Sequence, residues 1–270
     1  MSKPNILLTD LGLGESPRWH DGRLWFANWG TQEIRAVDLD GRSEVVARVD
    51  TTVPYSIDWL PDGRMLVVSG QEALLLRQEP DGSLVTHADL SGLGSVFNEL
   101  VVDARGNAYV NGSTVVLVTP DGTVRTVAED IAWGNGMAIT PDGSTLIVAE
   151  SHGNRLTAFD IAENGALADR RVWADLGADC YPDGICLDAD GVAWYADVPN
   201  KRCVRVREGG EVLQTIDLDR GCFSCTLGGA DGRTLFLVAA DWAGPDGMLS
   251  GTPTGQVLTV EAPAPGAGWP

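Results

Sequence analysis

Short apolar runs recur along the chain, and Asp-Gly or a close equivalent punctuates them. Six such turns stand at Asp21-Gly22, Asp62-Gly63, Arg105-Gly106, Asp142-Gly143, Asp190-Gly191 and Asp231-Gly232, spaced 41, 43, 37, 48 and 41 residues apart. An apolar segment precedes each turn, as in Ile57-Asp58-Trp59-Leu60 or Ile185-Cys186-Leu187-Asp188. A second follows, as in Leu24-Trp25-Phe26-Ala27, Met65-Leu66-Val67-Val68 or Leu146-Ile147-Val148-Ala149. A third comes after that, as in Ile34-Arg35-Ala36-Val37 or Val204-Arg205-Val206. Asp-Gly between apolar runs signals a hairpin, because both residues tolerate positive φ. No stretch carries the 3.6-residue period of an amphipathic helix. Six units of about 45 residues, each with four antiparallel strands, predict an all-β six-bladed β-propeller. It should form one domain over residues 1–270.

A propeller must close its ring. The last repeat ends in Gln256-Val257-Leu258-Thr259-Val260, which supplies only a third strand, while Ile6-Leu7-Leu8-Thr9 at the N-terminus is left over. The spare segment is therefore expected as the outer strand of the last blade. Residues 262–270, rich in Pro, Gly and Ala, are expected to be loose.

Composition narrows the partners. A net charge of −19 argues against nucleic acid and anionic membrane surfaces. No apolar run approaches the roughly 18 residues of a membrane helix, and the N-terminus shows no signal peptide. The cytoplasm is the default location, and a monomer or weak homo-oligomer the expected state. The five cysteines are odd in number and fall in the last third of the chain, unlike a disulfide framework. Cys222-Phe223-Ser224-Cys225 is a lone CxxC, so buried free thiols are expected there rather than zinc.

The repeats also share a register. Counting seven residues back from each turn, or six in the shorter first repeat, reaches Glu15, Tyr55, Asn98, Asn135, Asp183 and Ser224. These positions begin the innermost strands, which line a propeller's central channel. All six carry oxygen, two as carboxylates and two as amides. A convergent ring of such oxygens suits a hard divalent cation. None of His20, His87 and His152 falls in this register.

Gly12-Leu13-Gly14-Glu15-Ser16-Pro17-Arg18-Trp19, Phe97-Asn98-Glu99, Asn135-Gly136-Met137-Ala138 and Pro182-Asp183-Gly184-Ile185-Cys186-Leu187-Asp188, in this order, resemble the gluconolactonase/regucalcin (senescence marker protein) and luciferin-regenerating enzyme-like family. Met248, after Gly244-Pro245-Asp246-Gly247, fits the family's C-terminal region loosely. The resemblance implies a six-bladed propeller with one divalent metal ion in the channel. Calcium is the expected ion, with magnesium, manganese or zinc as alternatives. It implies metal ligands at Glu15, Asn135 and Asp183, with Asn98 beside the ion and touching substrate. It implies Asp183 as general base, Glu15 being the alternative. The activity implied is metal-dependent hydrolysis of a small-molecule lactone or related ester. Alternatives are an aryl-esterase or organophosphate hydrolase on the same ion, or a non-catalytic calcium-binding propeller.

The chain departs from the sugar-lactone members in one layer. The Arg expected two residues before Asn98 is absent from Ser95-Val96-Phe97-Asn98, and Glu99 replaces an expected Asp. The lid-forming excursion after Gly112 is missing. Trp29, Tyr55, Trp133, Tyr181 and Trp242 fall near the channel mouth by the same counting. With Asn98 and Glu99 they form the expected substrate-binding set, for a less polar substrate than gluconolactone.

Overall fold

The computed structural model describes residues 3–94, 96–244 and 253–268. Ser95 and the Met248 segment lie outside them. Six four-stranded antiparallel sheets make up the fold, and almost no helix is present. Blades 1 to 5 cover residues 14–48, 55–89, 97–128, 134–175 and 182–217. Blade 6 combines Gly221–Gly228, Thr234–Ala240 and Gly255–Glu261 with the N-terminal strand Asn5–Leu11, which pairs antiparallel with Gly255–Glu261. The N-terminal segment thus closes the ring, as its surplus in the repeat count requires.

The counted turns are where the pattern puts them, and their glycines all have positive φ. Each blade presses both faces against neighbours, so its middle strands read as continuous apolar runs. Met65–Ser69 and Ala193–Asp197 are buried at every position. Outer strands such as Ser43–Arg48 instead have every residue at least partly exposed. The core is accordingly a set of inter-blade clusters. Phe97, Leu100 and Val110 of blade 3 pack on Leu66, Val68 and Leu75 of blade 2, and Met137 and Ile139 of blade 4 pack on Val101 and Tyr109 of blade 3. Burial of apolar area between blades, at roughly 25 cal/mol per Å², is the main favourable contribution to the closed ring.

The tail departs from expectation. Ala262 and Ala264 are buried. Ala189 N–H donates to Pro265 O at 2.7 Å, Gly266 N–H to Gly232 O at 2.9 Å and Ala267 N–H to Leu187 O at 2.9 Å. Residues 262–267 are therefore strapped across blades 5 and 6. Small residues and prolines allow this close backbone approach, which composition alone did not reveal.

Candidate metal centre

Six inner strands surround the channel: Gly14–His20, Tyr55–Trp59, Phe97–Val102, Gly134–Ile139, Pro182–Leu187 and Gly221–Gly228. Glu15, Asn98, Asn135 and Asp183 are each the second residue of their strand. Local pairing explains why these side chains leave the blade faces. In blades 3, 4 and 5 the register slips at this point, so that Asn98-Glu99, Asn135-Gly136 and Asp183-Gly184 each oppose a single partner residue. Blade 1 slips immediately after Glu15. A bulge of this kind bends the strand and re-aims the side chain.

Asn98, Asn135 and Asp183 lie side by side, and Glu15 is near enough to Asp183 to feel its charge. Asn98 Nδ2 donates to Asn135 Oδ1 at 3.1 Å and to Gly134 O at 3.3 Å. Burial pushes the Glu15 carboxyl well above its ordinary range, and the nearby Asp183 and Glu99 carboxylates push it further. Asp183 is raised for the same reasons, by burial and then by Glu99, while the Asn135 amide facing it works in the opposite direction. Asp183 Oδ1 is fully buried with no hydrogen-bond partner. A buried carboxylate oxygen without a donor is costly unless a cation faces it. The donor set fits a hard divalent ion, since it consists of two carboxylates and two amides with no thiol or imidazole. Among the described residues, no three His, Cys, Asp or Glu side chains gather to hold a metal by themselves. The amide oxygens are thus needed to complete any such site.

Two further residues brace the cluster and were not visible in the register. Asn111, fully buried on the second strand of blade 3, donates from Nδ2 to Asn135 O at 2.6 Å and accepts Glu99 N–H at 3.2 Å. Ser151 receives Asn135 Nδ2 at 3.4 Å and donates to Pro182 O at 2.7 Å, tying blade 4 to blade 5. Sequence reasoning saw Asn111 only as part of a glycosylation-like triplet. Their shared signal is position near the end of a second strand: Asn111 faces the blade-3 bulge, and Ser151 directly follows the second strand of blade 4.

Two expected substrate residues are placed otherwise. Tyr55 is fully buried between blades 1 and 2, and its hydroxyl donates to Asn28 O at 2.7 Å. Blade 2 pairs without any register slip, so nothing turns Tyr55 out of the blade face. Glu99 is buried, and its Oε1 accepts Ser16 Oγ at 2.9 Å and Arg18 at 3.2 Å. It anchors an ion pair across the channel and feeds its charge to Glu15 and Asp183 rather than lining a substrate pocket.

The other aromatics form two groups. Trp29 and Trp242 are half-buried with Leu13, Val198, Phe223 and Ala240. Trp29 Nε1 donates to Tyr55 O at 2.7 Å, and Trp242 packs edge-on against Phe223 at 5.8 Å. Trp133 and Tyr181, two residues before Asn135 and Asp183, are 50% and 40% exposed. Trp133 stacks on His152 at 5.7 Å, which places a histidine outside the counted register beside Ser151.

The sequence model of the SMP-30/Gluconolactonase/LRE-like region matches residues 13–241. Regucalcin of Xenopus laevis is 27% identical over 252 residues, covering 84% of this chain and 83% of that protein. A 6-deoxy-6-sulfogluconolactonase of Pseudomonas putida is 27% identical over 158 residues, 54% of each chain. The crystal structure of a calcium-binding protein, regucalcin, from Agrobacterium tumefaciens superposes with a TM-score of 0.79 at 20% identity, over 99% of this chain and 95% of that one.

Proposed function

Since the chain belongs to the SMP-30/gluconolactonase/LRE-like family, we propose that it is a divalent-metal-dependent hydrolase that opens a lactone or related ester. The single observation that carries this reading is the unpartnered, buried Asp183 Oδ1, set beside Glu15 in a cluster where both carboxyls are held above their ordinary range. Glu15, Asn135 and Asp183 would hold the ion, with the Asn98 amide beside them and calcium as the expected species. A bound ion would polarise the scissile carbonyl and stabilise the charge that develops on its oxygen. Asp183 would accept the proton of the attacking water. Ser151 and Asn111 would keep Asn135 and the blade-5 strand in place while this happens. A lactonase among the relatives supports the reaction class. The exposed rings of Trp133 and Tyr181 support a substrate less polar than gluconolactone, and they favour aryl esters as the second substrate class to test.

The test is a panel of γ- and δ-lactones, aryl esters and sugar lactones, assayed with Ca²⁺, Mg²⁺, Mn²⁺ and Zn²⁺ after chelation. Turnover should require added metal and favour the apolar lactones. Asp183→Asn should lower kcat by about 10²–10⁴-fold, the usual worth of a positioned base, with an unchanged circular dichroism spectrum. Undiminished turnover in that variant would remove Asp183 from its role. Calcium binding without turnover of any panel member would favour a non-catalytic calcium-binding propeller.

A further inference from the structure

Four of the five cysteines, distant in sequence, converge between blades 5 and 6. Cys186 lies on the inner strand of blade 5 and Cys203 on its third strand, while Cys222 and Cys225 lie on the inner strand of blade 6. Cys186 Sγ and Cys225 Sγ are 3.9 Å apart. Cys203 lies buried in the same cluster. Cys225 Sγ also reaches Gly184 O at 3.8 Å, one residue beyond Asp183. The two inner strands touch at this point, since a Cβ on Gly184 would lie 1.8 Å from Ser224 Oγ and 2.7 Å from Ser224 Cα. The cluster does not make a metal site, because among the described residues no three thiols are grouped to hold an ion.

We propose that Cys186 and Cys225 are a redox pair that a peroxide converts to a disulfide linking the inner strands of blades 5 and 6 beside Asp183. Two S–H bonds and the peroxide O–O bond break, and one S–S bond forms. The sulfurs give up two electrons, and the peroxide takes these with both protons and leaves as two waters, or as water and an alcohol. A disulfide requires the sulfurs at about 2.05 Å and Cα atoms within roughly 4.4–6.8 Å. The sulfurs must therefore approach to about half of their present 3.9 Å separation. The strands cannot approach further where Gly184 meets Ser224. Closure is taken up by side-chain rotation and by pivoting about that contact, and Asp183 lies next to the pivot. Displacing a reacting group by about 1 Å costs on the order of 100-fold in rate. The pair thus couples thiol oxidation to the candidate centre. This coupling rests on the hydrolase reading above, whereas the crosslink does not.

The experiment treats the full chain with hydrogen peroxide, counts free thiols under denaturing conditions and maps peptides without reductant. The expected result is loss of two of the five thiols, a Cys186–Cys225 crosslinked peptide pair, and its reversal by dithiothreitol. Cys186→Ala and Cys225→Ala should each abolish the crosslink, with Cys225→Ser as a second variant that preserves a hydrogen-bonding group. Retention of all five thiols by the folded protein, or a crosslink between other cysteines, would overturn the pair. In parallel, lactone turnover of the oxidised wild type should fall about 10-fold or more, while Cys225→Ala is indifferent to peroxide. Equal turnover of oxidised and reduced wild type would overturn the coupling. Absence of turnover in both forms would count against the hydrolase reading, and the crosslink would still be judged by its peptide map.

Discussion

Asp183 and Glu15 show what burial and neighbouring like charge do to an acidic side chain. Both carboxyls are raised by burial first; Asp183 and then Glu99 push Glu15 further, and Glu99 pushes Asp183 further. Asp58, buried on the inner strand of blade 2, is raised to about 6 for the same first reason, although Arg18 and the N–H groups of Val102 and Trp59 oppose the shift. A carboxyl whose folded-state pKa exceeds its unfolded value binds more protons in the folded protein, so its contribution to stability is lost as pH rises. For Asp58 that contribution is full below the unfolded value of about 4 and disappears as pH passes about 6. Glu15 and Asp183 shift in the same direction. The chelated protein should therefore melt at a lower temperature at pH 8 than at pH 5. Calcium should raise the midpoint more at pH 8, where protons no longer compete for the carboxylates. A calcium-induced rise that is equal at the two pH values, measured by scanning calorimetry, would mean that these carboxyls are not the ligands.

At the scale of elements, the inner strand decides which side chains reach the channel. The same apolar segment carries a register slip in blades 1, 3, 4 and 5, and there the second residue turns inward. In blade 2 the slip is missing, and Tyr55 stays in the inter-blade core. The strands also depend on small residues where they approach. A Cβ on Gly184 would overlap the Ser224 side chain and backbone, and one on Gly136 would lie 2.4 Å from Ile185 N. Gly184→Ala should accordingly destabilise the protein by about 1–3 kcal/mol through overpacking and weaken calcium binding by displacing Asp183. Chemical denaturation and isothermal titration would read the two effects separately. Unchanged stability would show that the blade 5–blade 6 seam can relax by more than its contacts suggest.

At the scale of the whole molecule, stability depends on closing the ring. Asn5–Leu11 completes blade 6, and Leu11 is buried with Leu24, Phe26, Phe236 and Val238 at the seam between the first and last blades. Removing residues 1–11 would expose the edge of Gly255–Glu261, and an unpaired apolar edge invites association. The truncated chain should melt well below the full chain and form concentration-dependent aggregates in light scattering. A truncated chain as stable and monodisperse as the full one would mean that the other inter-blade clusters hold the ring without this strand.

The chain alone determined its blades, because hairpin turns and the alternation of short apolar runs are local properties written in consecutive residues. It also determined the common register of Glu15, Asn98, Asn135 and Asp183, because the distance from inner strand to turn is constant where the hairpins are alike. What required the tertiary structure involved partners from other blades. The fate of Tyr55 followed from a missing bulge. The occupation of Glu99 followed from Arg18 reaching across from blade 1, and the bracing by Asn111 and Ser151 from a second strand and the turn after one meeting the neighbouring blade. The strapped tail and the meeting of Cys186 with Cys225 depend on contacts between distant segments, and no local pattern in the sequence encodes such contacts.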